Sequence, residues 1–270
     1  MLQILTAKVD PRPLAAARII TGLVAVGFTF EWGRTLLRAS SGNFLTMPVV
    51  TGWPPVDPTF TYALVALSLT ASLAMAVGFS GRIPAIIVAC TTGTVLLSDQ
   101  QTYSNHLVLL FLMTTWISLS GAHRVWRLPF TRRRDLVPYW PAFLIKVLIS
   151  SLYAWTAVSK INPQYLSGEV IGTYLQPWVP ISDHLLPVTA ALSILAEAFL
   201  SVALWLARLR KLAFLVGAGL HLGIVICLES SAPLVGFGAS MLSGYIIFGY
   251  GKAQRVPTDG SAFSGHALQN

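Results

Sequence analysis

Residues 139–169 read YWPAFLIKVLISSLYAWTAVSKINPQYLSGE. The apolar run that starts at Tyr139 is long enough for a helix to cross the hydrocarbon core of a bilayer. It ends on a single lysine, Lys160, before Asn162-Pro163 breaks it. Two aromatics, Tyr153 and Trp155, sit on the turns just before that lysine. An amine at the edge of the hydrocarbon is partly dehydrated. Dehydration disfavours the ammonium form and makes a neutral amine, which is a base, accessible. The segment is therefore a candidate site as well as a membrane span.

The rest of the chain has the same character. Hydrophobic residues make up 54% and charged residues 10% of the 270 positions, too few charges to solvate a soluble domain of that size. Mean hydropathy is +0.68. Apolar runs recur at 13–32, 59–79, 83–98, 105–120, 139–160, 184–206, 212–228 and 232–249. These predict an all-α, polytopic membrane helical bundle of about eight spans, one domain over 1–252. The third, fourth and seventh runs fall short of the usual ~20 residues, which leaves their boundaries soft. The tail, 253–270, is polar, with Gly260, Ser261 and Ser264, and reads as disordered. The first run is as long as a full span and no A-x-A-like site follows it, so it is expected to stay as an anchor.

The formal charge of +8 is explained by short loops rather than by nucleic acid, which is not expected as a partner. With the N-terminus inside, thirteen of the 18 Lys and Arg collect on the cytoplasmic side, among them Lys8, Arg12, Arg82, Arg124, Arg127, Arg132 to Arg134, Arg210 and Lys252. Arg34, Arg38 and Lys160 fall outside, which puts both termini in the cytoplasm. The lipid bilayer is thus the first partner. The run Thr131 to Arg134 reads as a topology signal beside anionic headgroups. On the other side, residues 33–58 form the longest outer loop, broken by Gly42, Pro48, Gly52, Pro54, Pro55 and Pro58. Phe44 and Trp53 set it at the interface, as a connector or as a lid over an outer cavity.

Ionisable groups inside spans are costly and often functional. Here they are Arg18, Glu31, His106, Lys146, Lys160, Glu197 and His221. Glu31, His106, Lys160 and His221 fall in the outer half, with Glu197 close beneath them. Each also has a plainer reading. His106, after Tyr103, Ser104 and Asn105, could cap its helix. His221 lies among Gly217, Gly219 and Gly223, which allow close helix approach and a simple interhelical hydrogen bond. Glu197 is deep enough to need a partner, and Arg18 is one candidate for a structural ion pair. Lys146 is expected to snorkel to the inner headgroups, Lys160 could snorkel outward in the same way, and His184 is expected to lie at the interface. Cys90 and Cys227 both sit in spans, so neither a disulfide framework nor a cysteine metal site is expected. The histidines lack H-x-x-H or H-x-x-x-H spacing, and no metal site is expected from them. A Walker-type loop and a G-x-S-x-G elbow are also missing from the sequence.

Three segments together resemble the HTTM domain, the membrane domain shared with vitamin K-dependent γ-carboxylases. They are Asn105-His106 at the start of a span, Tyr153 through Glu169 with Lys160, Tyr165 and Gly168, and Gly219-Leu220-His221. The similarity covers nearly the whole chain, and its middle segment is the most specific. The resemblance implies a quinol of the vitamin K or menaquinol type, with oxygen and carbon dioxide as co-substrates. It implies Lys160 as the base on the quinol, with His106 and His221 positioning or polarising it. In the carboxylases the ensuing epoxidation yields a strong base that removes a glutamate γ-proton before carbon dioxide adds. Tyr153, Trp155, Tyr165, Gly168 and Glu197 are expected to surround the quinol.

The carboxylases carry a large lumenal domain that docks their protein substrate, and with about twenty residues after the last span no such domain is expected here. A small acceptor, or an exported peptide or separate substrate protein, is the expected partner. The extracytoplasmic face of a bacterial cell membrane is the expected location. Two other readings use the same scaffold: a non-catalytic maturation or immunity protein, and a quinone-binding subunit of a redox complex.

Overall fold

The computed structural model describes residues 7–42, 45, 47–50, 52–54, 56–129, 135–229 and 231–249. Phe44, Pro55, the Thr131–Arg134 run, Lys252 and the 253–270 tail lie outside the described residues. Eight long helices carry the described chain: α1 (Arg12–Ala39), α2 (Pro58–Val77), α3 (Ile83–Ser98), α4 (Asn105–Leu119), α5 (Trp140–Ser159), α6 (Leu186–Ala203), α7 (Arg210–Cys227) and α8 (Ser231–Gly249). They coincide with the eight spans read from hydropathy. Five apolar helical stretches, those built on α1, α2, α5, α6 and α7, are long and apolar enough to cross a membrane. Ile83–Ser98, Asn105–Leu119 and Pro233–Gly249 are shorter apolar stretches within the bundle. The chain is an all-α integral membrane helical bundle.

Helix ends follow local chemistry. Asp57 caps α2 by accepting from Phe60 N at 3.0 Å, with Pro58 in the first turn, where its missing N–H costs nothing. Gly78, at φ +71°, closes the other end of α2 in the left-handed region. Helix α5 starts on Trp140-Pro141 and ends at Lys160. Asn162 then caps a short helix, Pro163–Leu166, by accepting from Tyr165 N at 2.9 Å. The 161–185 segment then packs on the start of α6 and is tied to the end of α7, where Gln176 N donates to Cys227 O at 2.8 Å.

Helix α1 is central and packs on α2, α8 and α4; α5 packs on α6, and α8 joins the two sets through α7, α5 and α1. At the α1–α2 crossing, a Cβ on Gly22 would come within 2.9 Å of the Ala76 backbone nitrogen. Small residues there let the two backbones approach closely. Thr29 Oγ1 and Ser68 Oγ hydrogen-bond across the same interface at 2.8 Å. Two short strands, β1 (Lys8–Val9) and β2 (Val137–Pro138), pair antiparallel beside the ends of α1 and α5.

Three expectations need correction. The outer loop begins later than residue 33, because α1 continues to Ala39. At 28 residues it is roughly 42 Å long at 1.5 Å per residue. The loop that follows is tied to the turn after α3. Fully buried Asp99 accepts from Met47 N at 3.2 Å, and Met47 O accepts from Gln100 N at 2.8 Å. Arg18 does not meet Glu197. Its Nη2 donates to Trp126 O at 2.6 Å and its Nη1 to Ala122 O at 3.5 Å, so it holds the α4–α5 loop. Lys146 reaches back toward Tyr139, at the start of α5, the direction expected of it. It is 8% exposed, with Nζ 5.4 Å from the Tyr139 ring centroid and 5.5 Å from that of Phe248. Finally, it is Gly217 that sits against another helix, at Tyr245, whereas Gly219 and Gly223 face no neighbour within 4 Å.

Candidate functional site

Helical spacing selects the side chains of the site. On α5, Ile149, Tyr153, Ala157 and Lys160 recur at three- and four-residue intervals and line one stripe, the first three of them buried. On α6, Ala190, Ser193, Glu197 and Leu200 do the same, and on α7 so do Ala213, Gly217 and His221. These three stripes, with Tyr245 of α8, meet below the 161–185 segment.

Lys160 Nζ bonds Glu197 Oε1 at 2.7 Å. The ammonium lies 5.2 Å from the centroid of the Tyr165 ring. Tyr165 is held in turn by its hydroxyl, 2.8 Å from Ser193 Oγ. The pair is mostly shielded, with side-chain exposures of 23% for Lys160 and 7% for Glu197. Glu197 Oε2 is buried with no hydrogen-bond partner among the described residues. A buried carboxylate oxygen with free lone pairs is costly, and it is suited to a donor that arrives with a ligand.

Beside this pair runs a second polar group. Tyr153 OH lies 2.7 Å from His221 Nε2 and 2.5 Å from Tyr245 OH, a hydrogen-bonded chain across three helices. Tyr245 stacks on Phe214 with centroids 5.3 Å apart, and Phe237 packs edge-on to His221. Tyr153 and Lys160 lie two turns apart on the same stripe of α5, which sets the two groups side by side. Together they offer an ion pair, two phenols and an imidazole in a nearly dry setting. Such a set can hold and move a proton.

The structure thus brings together Lys160, Glu197, Tyr165, Tyr153 and His221 from the sequence-derived set. His106 lies in a different group. Its Nε2 is 2.9 Å from Glu31 Oε1 and 3.1 Å from Ser104 Oγ, and its ring centroid is 4.6 Å from that of Phe28. Phe28 abuts Gly236 of α8, whereas His221 abuts Gly238. Two residues apart on a helix means nearly opposite faces, so α8 stands between the two histidines. Trp155, two residues after Tyr153, is turned away from the stripe and is 71% exposed. Gly168, at φ +82°, shapes the overlying segment: a Cβ there would collide with Leu186 at the start of α6. Tyr245 and Ser193 were missed by sequence reasoning. The available signals were a tyrosine within a span and a serine one turn before Glu197 on the same face.

Replacing Tyr153 by phenylalanine removes the hydroxyl shared by His221 and Tyr245. We expect a loss of about 1–2 kcal/mol for leaving buried partners unmatched, read from the thermal midpoint in detergent. Unchanged stability would mean that the three groups are not coupled.

Among the described residues no group of three His, Cys, Asp or Glu is placed to hold a metal ion. No curated protein matches the chain. No solved structure matches it either. The HTTM domain matches residues 6–227. That match spans α1 through α7 and includes Lys160, Glu197, His106 and His221, and the chain belongs to the HTTM-domain family.

Proposed function

We propose that this protein is a membrane enzyme of the vitamin K-dependent γ-carboxylase type, to whose membrane domain the HTTM family is related. In this reading the Lys160–Glu197 pair performs acid–base chemistry on a quinol. The observation that carries it is the ion pair with an unmatched Glu197 Oε2, set beside the Tyr153–His221–Tyr245 chain. A phenolic O–H is a donor and fits that unmatched acceptor. The Lys160 side chain, 23% exposed at the end of α5, is the member of the pair that an incoming molecule can reach.

The quinol would supply an acidic phenol and a ring that oxygen can oxidise. The chain would supply the proton transfer. Passing a proton from Lys160 Nζ to Glu197 Oε1 turns an ion pair into a neutral amine and a carboxylic acid. A site sheltered from water lowers the cost of that exchange. The amine is then the base, which reconciles an ion-paired resting lysine with the role its family resemblance implies. The Tyr165 ring faces Nζ and keeps it directed toward the site. His221 and Tyr153 would offer the polar groups that orient the phenol, while His106, behind α8, would act from further away.

By the positive-inside rule the end of the bundle with Arg82, Arg124 and Arg210 is cytoplasmic, which opens the site toward the extracytoplasmic side. Oxygen and carbon dioxide are the co-substrates of this reading, and an exported peptide or separate protein is the acceptor. Titration of menaquinol into protein-loaded nanodiscs checks the binding half. Saturable binding, weakened about tenfold in Glu197→Gln by loss of one charge-assisted hydrogen bond, is the expected result. No saturable binding with a folded protein would favour the non-catalytic alternative.

A further inference from the structure

At the other end of the bundle a second cluster forms around His123, on the loop between α4 and α5. Arg18 of α1 is 2% exposed and reaches into this loop, bonding the carbonyls of Ala122 and Trp126 on either side of His123. Gly78, in the turn between α2 and α3, packs on the Arg18 guanidinium and on Arg127 Cβ. A Cβ on Gly81, next to Arg82, would lie 3.9 Å from His123 Cδ2, and one on Gly121 would lie 3.5 Å from Arg124 Nε. Three elements therefore converge their cations on one place. His123 registers it: burial, followed by the charges of Arg82, Arg124, Arg127 and Arg18, holds its imidazole below the ordinary range.

No carboxylate bonds Arg18, Arg82 or Arg124 among the described residues. Arg18 Nε is also buried with no hydrogen-bond partner. A guanidinium this buried, answered only by two carbonyls, gains from a negative charge supplied from outside. A positive-inside loop needs only exposed cations. A buried arginine with convergent neighbours is a more specific arrangement.

The surroundings indicate what kind of anion it is. Phe79 and Ile83 flank Arg82 and are 57% and 55% exposed; Trp126 is 51% exposed and Leu128 41%. An apolar rim around a cationic centre suits an amphiphile, with its phosphate on the arginines and its chains along the rim. We propose that this end of the bundle is a binding site for an anionic phospholipid, whose phosphate is held by Arg82 and Arg124 beside the buried Arg18. Arginine suits the role through its planar, multiply donating guanidinium.

Native mass spectrometry of the purified full chain tests this, with phosphatidylglycerol or phosphatidylcholine added in detergent. Phosphatidylglycerol should be retained in preference to phosphatidylcholine. Arg82→Gln/Arg124→Gln should weaken that retention about tenfold, for two lost charge-assisted contacts. Arg82 and Arg124 are exposed, so their replacement leaves the core untouched. Arg34→Gln/Arg38→Gln, which removes two exposed arginines at the far end of α1, should leave retention unchanged. Equal retention by the Arg82/Arg124 double variant, or equal retention of phosphatidylcholine, overturns the proposal. Inorganic phosphate binding as tightly as the lipid also overturns it, in favour of a soluble anion.

Discussion

Lys160→Ala should destabilise the protein by about 3 kcal/mol, the low end of the range for stranding one member of a buried pair. The low end applies because the Lys160 side chain retains 23% exposure and because unfolded membrane segments find other partners. The cost arises at Glu197, whose Oε2 already lacks a partner and whose Oε1 would lose the ammonium. Lys160→Met/Glu197→Leu should recover most of that loss, since two apolar side chains of similar size satisfy the site without charge. Thermal unfolding of the three proteins in one detergent reads the cycle. If Lys160→Ala is as stable as the parent, the ion pair is not what holds α5 to α6 at this level.

Gly217→Ala should cost about 2 kcal/mol, while Gly219→Ala on the same helix should be neutral or slightly stabilising. A Cβ on Gly217 would run into the Tyr245 hydroxyl and ring, and Tyr245 is fixed by Tyr153 and by stacking on Phe214. Overpacking of this kind typically costs 1–3 kcal/mol. Gly219 faces open space, where alanine gains up to ~1 kcal/mol of helix propensity over glycine. The comparison controls for the lipid environment, because both residues lie on α7. Equal effects at the two positions would contradict the α7–α8 packing described above.

The bundle was legible because hydropathy and length are one-dimensional signals, and the eight runs became eight helices. Helix α1 exceeds its predicted run for a reason the same signal hides. Trp32, Leu36 and Ala39 are buried at helical spacing while Arg34 and Arg38 face out, so the charges mark the outer face of a continuing helix, not its end. The candidate site was partly legible. Lys160, Glu197, His221, Tyr153 and Tyr165 were all singled out, but hydropathy gives depth and not direction around the helix axis.

Depth alone made Arg18 a plausible partner for Glu197 and grouped His106 with His221. Rotation about the axes instead gives Arg18 to the loop before α5 and puts α8 between the histidines. Trp155 fails by the same test, since two residues from Tyr153 turns it to the opposite face. Reach mattered as well. Lysine's long stem extends from the end of α5 to a carboxylate well along α6, a link that residue depth underestimates.

The account rests on Lys160 acting as a base on a quinol, and epoxide formation tests that most directly. Purified protein in nanodiscs is supplied with reduced vitamin K or menaquinol and oxygen, and products are followed by mass spectrometry beside Lys160→Ala and the apolar double variant Lys160→Met/Glu197→Leu. The account predicts quinone epoxide from the parent protein and at least about a hundredfold less from both variants, the lower bound for removing a general base. The double variant matters because it restores stability without restoring the amine, which separates lost chemistry from lost fold. No epoxide from a well-folded parent with either quinol, or epoxide that persists in the double variant, would contradict the assignment of this site.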